Sequence, residues 1–345
     1  MATIRDVAKA AGVSTATVSA VVNDSAYVSP ELRARVEAAV RELNYAPSMV
    51  ARNLKRGRSQ LIAIVVADLA NPFFSRMVCL AEAAAAAWGY SLVVFNSDEK
   101  PEAEKGILSR IRMLSCDGIV LVPVGETAPP MRDQGGKAIP TVMFGRTVDD
   151  RRSDTVTIDN VSAGRQATNY LLDLGHRRIG SITGPLQLTT GRGRHDGMMQ
   201  ALHARNVTPL PHHIRSGEFR EGTAYSVARE ILEGKDRPTA LYVANGVMAL
   251  GLMRALSDLG LRCPEDISIA STDTIPGIGG LRPRLTRTEH PLGDMVNEAF
   301  RLLLDRITNG MPPAPRNVVF QPTLVVGESC APVLSHVIPG VPATS

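Results

Sequence analysis

The chain has 345 residues, 44% of them hydrophobic, with a mean hydropathy of +0.01 and a sequence pI near 9.0. That is long enough for two or three packed domains, and no apolar run approaches the roughly 18 residues of a membrane helix, which argues against a membrane protein. The N-terminus lacks the basic and then apolar pattern of an export signal, so a cytoplasmic location is expected. Cys79, Cys116, Cys263 and Cys330 stand far apart with no C-x-x-C pair and read as reduced, packed thiols, with no metal or other cofactor expected. The charge is unevenly spread: residues 1–60 hold nine basic against five acidic side chains, whereas the other 285 residues carry 29 of each sign. A basic segment on a neutral body suggests a polyanion-binding module joined to a part with another task.

The first stretch, "TIRDVAKAAGVSTATVSAVVND" (residues 3–24), has almost no charge after Lys9 and no aromatic residue. Thr3 and Asp6 have capping-box spacing, Ile4, Val7 and Ala8 recur at helical intervals, and Gly12 stops a first helix over about residues 4–11. Ser14 caps a second, Val18, Val21 and Val22 form its apolar stripe, and Asn23-Asp24-Ser25 ends it. Ser29-Pro30-Glu31 starts a third helix running to about Asn44. Two short helices joined by a tight Gly-containing turn, with a third behind, form a helix-turn-helix unit whose second helix enters the major groove of double-stranded DNA. Thr15, Ala16, Thr17, Ser19 and Ala20 are small, as a helix admitted to the groove requires. Thr3, Ser14 and Asn23 complete the expected DNA surface, with caps, helix N-termini and outlying Arg and Lys holding phosphates. An ordinary three-helix packing unit fits the same pattern.

This stretch, continued by "VSPELRARVEAAVRELNYAPSMVARNLKRGRS", closely resembles the N-terminus of the lactose-repressor (LacI) family of bacterial transcription regulators. The resemblance implies base reading from Thr15, Ala16 and Ala20. Ala20 stands where a larger polar side chain is common and Ala16 is also bare, so hydrogen-bonded readout is expected to be thin there, with methyl contacts to thymine as a substitute. In "YAPSMVARNLKRGRSQ" (residues 45–60), Pro47 opens a segment of about seven residues, below the roughly 12 to 15 at which a helix persists alone in water. The resemblance makes it a hinge helix that folds on the operator and inserts Leu54 into the minor groove, with Ala51, Arg52 and Lys55 beside it. Arg56, Gly57 and Arg58 read as a basic linker.

From Leu61 onward apolar runs alternate with helical stretches. "LIAIVVADL", "SLVVFN", "GIVLVPV" and "IPTVMFGR" read as buried strands, with helices in "FFSRMVCLAEAAAAAWG" and "EAEKGILSRIRMLSC". The rhythm restarts with "RRIGSIT", "HIRSGEF", "TALYVAN" and "ISIASTD", separated by helices near residues 192–205, 221–233 and 246–260. Such alternation means an α/β fold of parallel sheets with right-handed crossovers, and two half-domains meeting near Asp159-Asn160 leave a ligand cleft at the strand C-termini. The expected domains are 1–46, the helix-turn-helix; 47–60, the hinge and linker; and 61–345, an effector-binding and dimerisation body. Its first half covers about 61–159 plus 291–320 and its second about 160–290 plus 321–335. No catalytic residues are expected: "GRGRHDG" (residues 191–197) has Asp196 where the third Gly of a dinucleotide loop would fall, and no P-loop, H-E-x-x-H or G-x-S-x-G occurs. His212-His213 reads as a solvated loop pair.

The body resembles the LacI-family effector domain, itself similar to periplasmic sugar-binding proteins. The strand end "DLANPFF" holds Asp68, Asn71, Phe73 and Phe74, and family ligand positions carry over to Phe73, Phe74, Arg146, Thr190, Arg194, Phe219, Asn245 and Asp273. Aromatic faces for the C–H side of a sugar ring, with Arg, Asn and Asp for vicinal hydroxyls, suit a carbohydrate effector. Leu188 stands where a purine-responsive member of the family carries Arg, which disfavours a purine. Gly246, Thr274 and the basic "LRPRLTRTEHP" also depart from the family pattern. The reading is thus a repressor, expected to be a homodimer on a near-palindromic operator and switched by a small effector. The alternatives are a solute receptor of the periplasmic type, which lacks an explanation for residues 1–58, and a regulator with a non-sugar effector.

Overall fold

The computed structural model describes residues 2–45, 58–125, 131–149, 152–273, 282–310, 312 and 314–333. The expected hinge residues Ala51, Arg52, Leu54 and Lys55 lie outside them. The chain divides between Gln60 and Leu61 into two compact units.

Among its described residues the first unit has three helices, α1 (Ile4–Ala11), α2 (Thr15–Asn23) and α3 (Pro30–Glu42). Thr3 and Asp6 form a reciprocal capping box at the start of α1: the Thr3 amide and hydroxyl each donate to Asp6 Oδ2 at 2.8 Å, and the Asp6 amide donates back to Thr3 Oγ1. Gly12 ends α1 with φ of 60°, a left-handed conformation that a side chain would strain. Arg35 of α3 donates to the Ala11 carbonyl at 2.6 Å, which satisfies one of the carbonyls orphaned at that end. The core is Val7, Ala8, Ala11, Val18, Val21, Val36 and Ala39, a small nucleus in keeping with a unit of this length.

The second unit contains two six-stranded sheets. Five strands of the first are β1 (Leu61–Val66), β2 (Ser91–Asn96), β3 (Gly118–Leu121), β4 (Thr141–Phe144) and β5 (Asp154–Ile158), with helices α4 (Pro72–Ala86) and α5 (Pro101–Leu114) between them. The chain then passes to the second sheet through α6 (Asn160–Asp173), β6 (Ile179–Thr183), α7 (Thr189–Ala204), β7 (Ile214–Ser216), α8 (Glu221–Glu233), β8 (Ala240–Val243), α9 (Gly246–Asp258), β9 (Ser268–Thr272) and β10 (Thr286–Glu289). It returns to the first half as α10 (Leu292–Asn309) and β11 (Asn317–Phe320), and ends in the second as β12 (Thr323–Val325). The strand orders, β11-β5-β4-β3-β1-β2 and β12-β10-β9-β8-β6-β7, repeat one another. Among the strands of the described residues only β12 pairs antiparallel, against β10.

Strands such as β1, "LIAIVV", are near-continuous apolar runs because helices cover both faces of their sheet. The sequence reading does not single out β5, α6, α10 or β10 to β12. In β5 the alternation Asp154, Thr155, Thr157 hides a buried strand, whose charge is matched from elsewhere in the fold. Helix α10 lies far along the chain from the sheet it covers, burying Met295, Val296, Ala299, Phe300, Leu302 and Leu303 against β3, β4, β5 and α4. Among the described residues no helix is long and apolar enough to cross a membrane.

Candidate DNA-reading helix and effector cleft

In α2, Ser14 is the N-cap: its Oγ accepts from the Thr17 amide at 3.1 Å and lies 2.9 Å from the Thr17 hydroxyl. Thr15 and Ala16, in the first turn, are exposed, while Thr17, Ser19 and Ala20 are half-buried beside Val18 and Val21, which face the core. Asn23 turns back into its own helix, donating to the Ser19 carbonyl at 2.8 Å and to its hydroxyl at 3.3 Å. Thr3 is likewise engaged by Asp6. The exposed first turn is therefore short and chemically plain: a methyl, a hydroxyl and free helix-end amides. Tyr27, in the loop between α2 and α3, is 91% exposed.

In the body, the C-terminal ends of both sheets face one cleft, as expected for parallel strands. The first half contributes Asn71, Phe73 and Phe74 from the start of α4, Phe144 and Arg146 after β4, and Met295 of α10. The second contributes Thr190 and Arg194 of α7, Phe219 before α8, Asn245 at the cap of α9, Asp273 after β9 and His290 after β10. Eight of the nine expected effector residues, all but Asp68, line this cleft. Asp68 does not: its Oδ1 accepts from the Ala70 amide and its Oδ2 pairs with Arg220 at 2.9 Å, so this carboxylate is engaged by a guanidinium of the other half.

Arg194 sits at the centre of the polar wall. Its Nε donates to Asn160 Oδ1 at 2.9 Å, one terminal nitrogen donates to the Ala244 carbonyl at 2.6 Å and lies 3.5 Å from Asp273, and the other lies 3.3 Å from His290 Nε2. With Nε2 accepting, the Nδ1 proton of His290 faces Asp273 Oδ1, which it abuts. Burial pushes the Asp273 carboxyl up, but His290 and Arg194 outweigh it and hold the group below the usual carboxylate range. Arg146 is spent differently: both its terminal nitrogens donate to Glu99 at 2.7 Å, and its guanidinium lies 5.5 Å from the centre of the Phe219 ring. Thr190 Oγ1 is buried with no hydrogen-bond partner among the described residues. The aromatic surfaces are Phe73 and Phe74, edge to face at 5.2 Å, Phe144 and Phe219. The ring of Phe219 rests on Gly184, where a Cβ would fall 2.1 Å from it. Asn71, read from "DLANPFF", lines the cleft, whereas sequence reasoning missed Asn160, Glu99 and His290; the end of "TRTEHP", a strand followed by His and Pro, was the available signal for His290.

A small helical unit that presents a groove-sized helix, on a body whose two halves enclose a polar and aromatic cleft, is the design of a ligand-responsive DNA-binding regulator. The chain belongs to the LacI family of bacterial transcriptional repressors. Residues 3–48 match the family described as bacterial regulatory proteins, lacI family, and residues 168–330 match the periplasmic binding protein-like domain. It is 37% identical to the HTH-type transcriptional repressor PurR of Edwardsiella ictaluri over 336 residues, 96% of this chain and 97% of that one. It is similarly 37% identical to the PurR repressor of Proteus mirabilis, again over 96% and 97% of the two chains. Among solved structures it resembles the lac repressor dimer bound to operator and the anti-inducer ONPF, with a TM-score of 0.82 and 28% identity over 96% of this chain and 99% of that one. It also resembles the regulator CelR in complex with cellobiose, with a TM-score of 0.70 and 31% identity over 95% and 100%. The protein is a transcriptional repressor with a ligand-binding effector body and is not an enzyme.

Proposed function

We propose that this repressor is switched by an uncharged carbohydrate or sugar derivative held between the halves of its body, and that it acts as a homodimer on near-palindromic operator DNA. One observation carries the choice of ligand: the charges in and beside the cleft neutralise one another, Arg194 with Asp273 and Arg146 with Glu99, next to four phenylalanine rings. An anion would have to displace a carboxylate to reach either guanidinium, whereas hydroxyl groups can insert into the network by exchanging one hydrogen bond for another. Thr190 Oγ1 supplies a polar contact still to be made. The cellobiose complex of CelR supports the same class. The relatives named PurR favour a purine base as the second reading, and Leu188, where purine-responsive members carry Arg, stands against it. The effector acts by favouring one closure of the two halves, which biases the population able to hold the operator.

A thermal-shift and calorimetric screen of mono- and disaccharides alongside purine bases tests the reading. A true ligand at 100 times its Kd stabilises the body by about 2.7 kcal/mol. Arg194→Ala and Asp273→Ala should each abolish that response and leave operator affinity near the parent's; a purine that binds where no sugar does overturns the carbohydrate assignment. On the DNA side the reading assigns bases to Thr15, Ala16 and Ala20 and a minor-groove wedge to Leu54, with Arg52 and Lys55 on phosphates. Unstacking a base step costs a few kcal/mol, repaid by the bent DNA it allows the protein to grip. Leu54→Ala should therefore weaken operator binding strongly while binding to a scrambled duplex keeps its strength and salt slope. Equal loss on both duplexes removes the wedge, and light scattering that gives a monomer at micromolar concentration removes the dimer.

A further inference from the structure

The effector cleft leaves only about 40 Å³ unfilled, space for a few water molecules and not for a ring. A ligand of that size therefore requires the halves to part, and the contacts that cross the rim decide how readily they do. Among the described residues an ion pair across it is made by Arg220, the residue before α8. One terminal nitrogen donates to Asp68 Oδ2 at 2.9 Å; the other donates to the Asp98 carbonyl at 3.0 Å and to its Oδ1 at 2.8 Å. Asp68 follows β1 and Asp98 follows β2, so a single guanidinium from the second half grips two loops of the first.

The backbone on each side is built for this meeting. Asp98 and Glu99 have φ of 53° and 57°, and Glu218 and Phe219 have φ of 53° and 54°. Two consecutive non-glycine residues in the left-handed region are costly, and here such a pair stands on either side of the same rim. The two corners are joined twice: Arg220 holds Asp98, and Arg146, held by Glu99, lies over the ring of Phe219. Phe219 is both a wall of the effector cleft and the immediate neighbour of Arg220.

We propose that Arg220 is the positioning residue of the effector response: its guanidinium clasps Asp68 and Asp98 across the rim, holds the two halves closed over the cleft, and makes the aromatic wall at Phe219 and the closure move together. What occupies the cleft rests on the reading above; the clasp does not, and it is tested with no effector present. The measurement is hydrogen–deuterium exchange of the full chain, parent against Arg220→Ala and Arg220→Lys, at low and high salt. The side chains of Arg220, Asp68 and Asp98 are 36%, 10% and 42% exposed, so salt reaches them. Arg220→Ala should raise exchange about fivefold, the order for a part-exposed charge network, in residues 67–74 and 97–100 as well as in 217–224, with α6 and α9 unchanged. High salt should raise the same segments in the parent and leave the alanine variant as it was. Lysine, a single ammonium that cannot span both carboxylates, should restore part of the protection. A change confined to residues 217–224 would mean that Arg220 packs only its own loop, and a parent indifferent to salt would mean that closure does not depend on the clasp. Should Arg220→Ala fail to fold, Asp98→Asn carries the same expectations. A sugar panel without a binder would leave these results standing and remove only the carbohydrate reading.

Discussion

The two halves of the body repeat one strand order and are locked by opposite means. In the first, the fully buried Asp154 of β5 receives the guanidinium groups of Arg306 from α10 and Arg316 before β11, and Arg306 also donates to the Arg152 carbonyl at 2.8 Å. In the second, α6 and α7 touch backbone to backbone: a Cβ on Gly164 would fall 2.0 Å from the Arg194 carbonyl oxygen, and one on Gly197 would fall 2.0 Å from that of Val161. A charge cluster fixes orientation and answers to pH, whereas a glycine contact fixes distance and answers to volume. The second lock also borders the cleft, since Arg194, which lines it, and its partner Asn160 sit on the two helices it joins.

The sharpest way to break this contrast is Asp154→Ala, which removes the buried carboxylate that both Arg306, 1% exposed, and Arg316 hold. A loss of about 3–5 kcal/mol is expected in urea unfolding, and a loss below about 1 kcal/mol would show that the cluster is dispensable. Gly164→Ala should cost about 3 kcal/mol, because the added methyl meets main chain that cannot rotate away. If it is instead neutral, the helices have slack and Arg194 is not held by their contact.

The halves should also part company in acid. Burial lowers the pKa of His176, whose ring nitrogens bond Thr239 Oγ1 and the Ala331 carbonyl, and burial followed by His212 lowers that of His213. Both belong to the second half; their stabilisation is complete above the ordinary value of 6.5 and declines as pH falls through the lower folded value. In the first half, burial pushes Asp154 up but Arg306 and Arg316 outweigh it, so its contribution persists until pH falls below 3.8. Glu104, raised by burial, has the opposite sign: its contribution is present below 4.5 and lost as pH rises. Pulse proteolysis between pH 7 and about 4.5 should find the second half loosening first; the reverse order would contradict the assignment of locks. The smallest effect is expected at Asp173, whose pair with Arg205 spans α6 and α7 at 2.7 Å but is 59% and 43% exposed. Asp173→Ala should cost less than about 0.5 kcal/mol, and a larger loss would mean that the glycine contact does not hold those helices alone.

Much of the fold was legible because its strands are apolar runs and its helices announce their caps: Ser14, Ser29 and Asn245 all bond the amides their positions imply. The cleft residues were named through the family resemblance, and the parallel topology then brings the strand ends near them together. Partner choice was not legible. Arg146 reads in the sequence as a free donor for hydroxyls, but Glu99, 47 positions away, takes both its terminal nitrogens. Asp68 reads as a ligand contact, yet Arg220, 152 positions away, takes it. Which charge meets which is settled by two sheets folding face to face, a fact with no local signature.

The core of the helical unit, four valines and three alanines, has a consequence for how it meets DNA. Alanine has no side-chain rotamers to lose and valine is already stiff at χ1, so the interior of this unit has little conformational entropy left to surrender. Its recognition surface thus reaches the duplex already formed, and docking it need not be opposed by a large ordering cost within the unit itself.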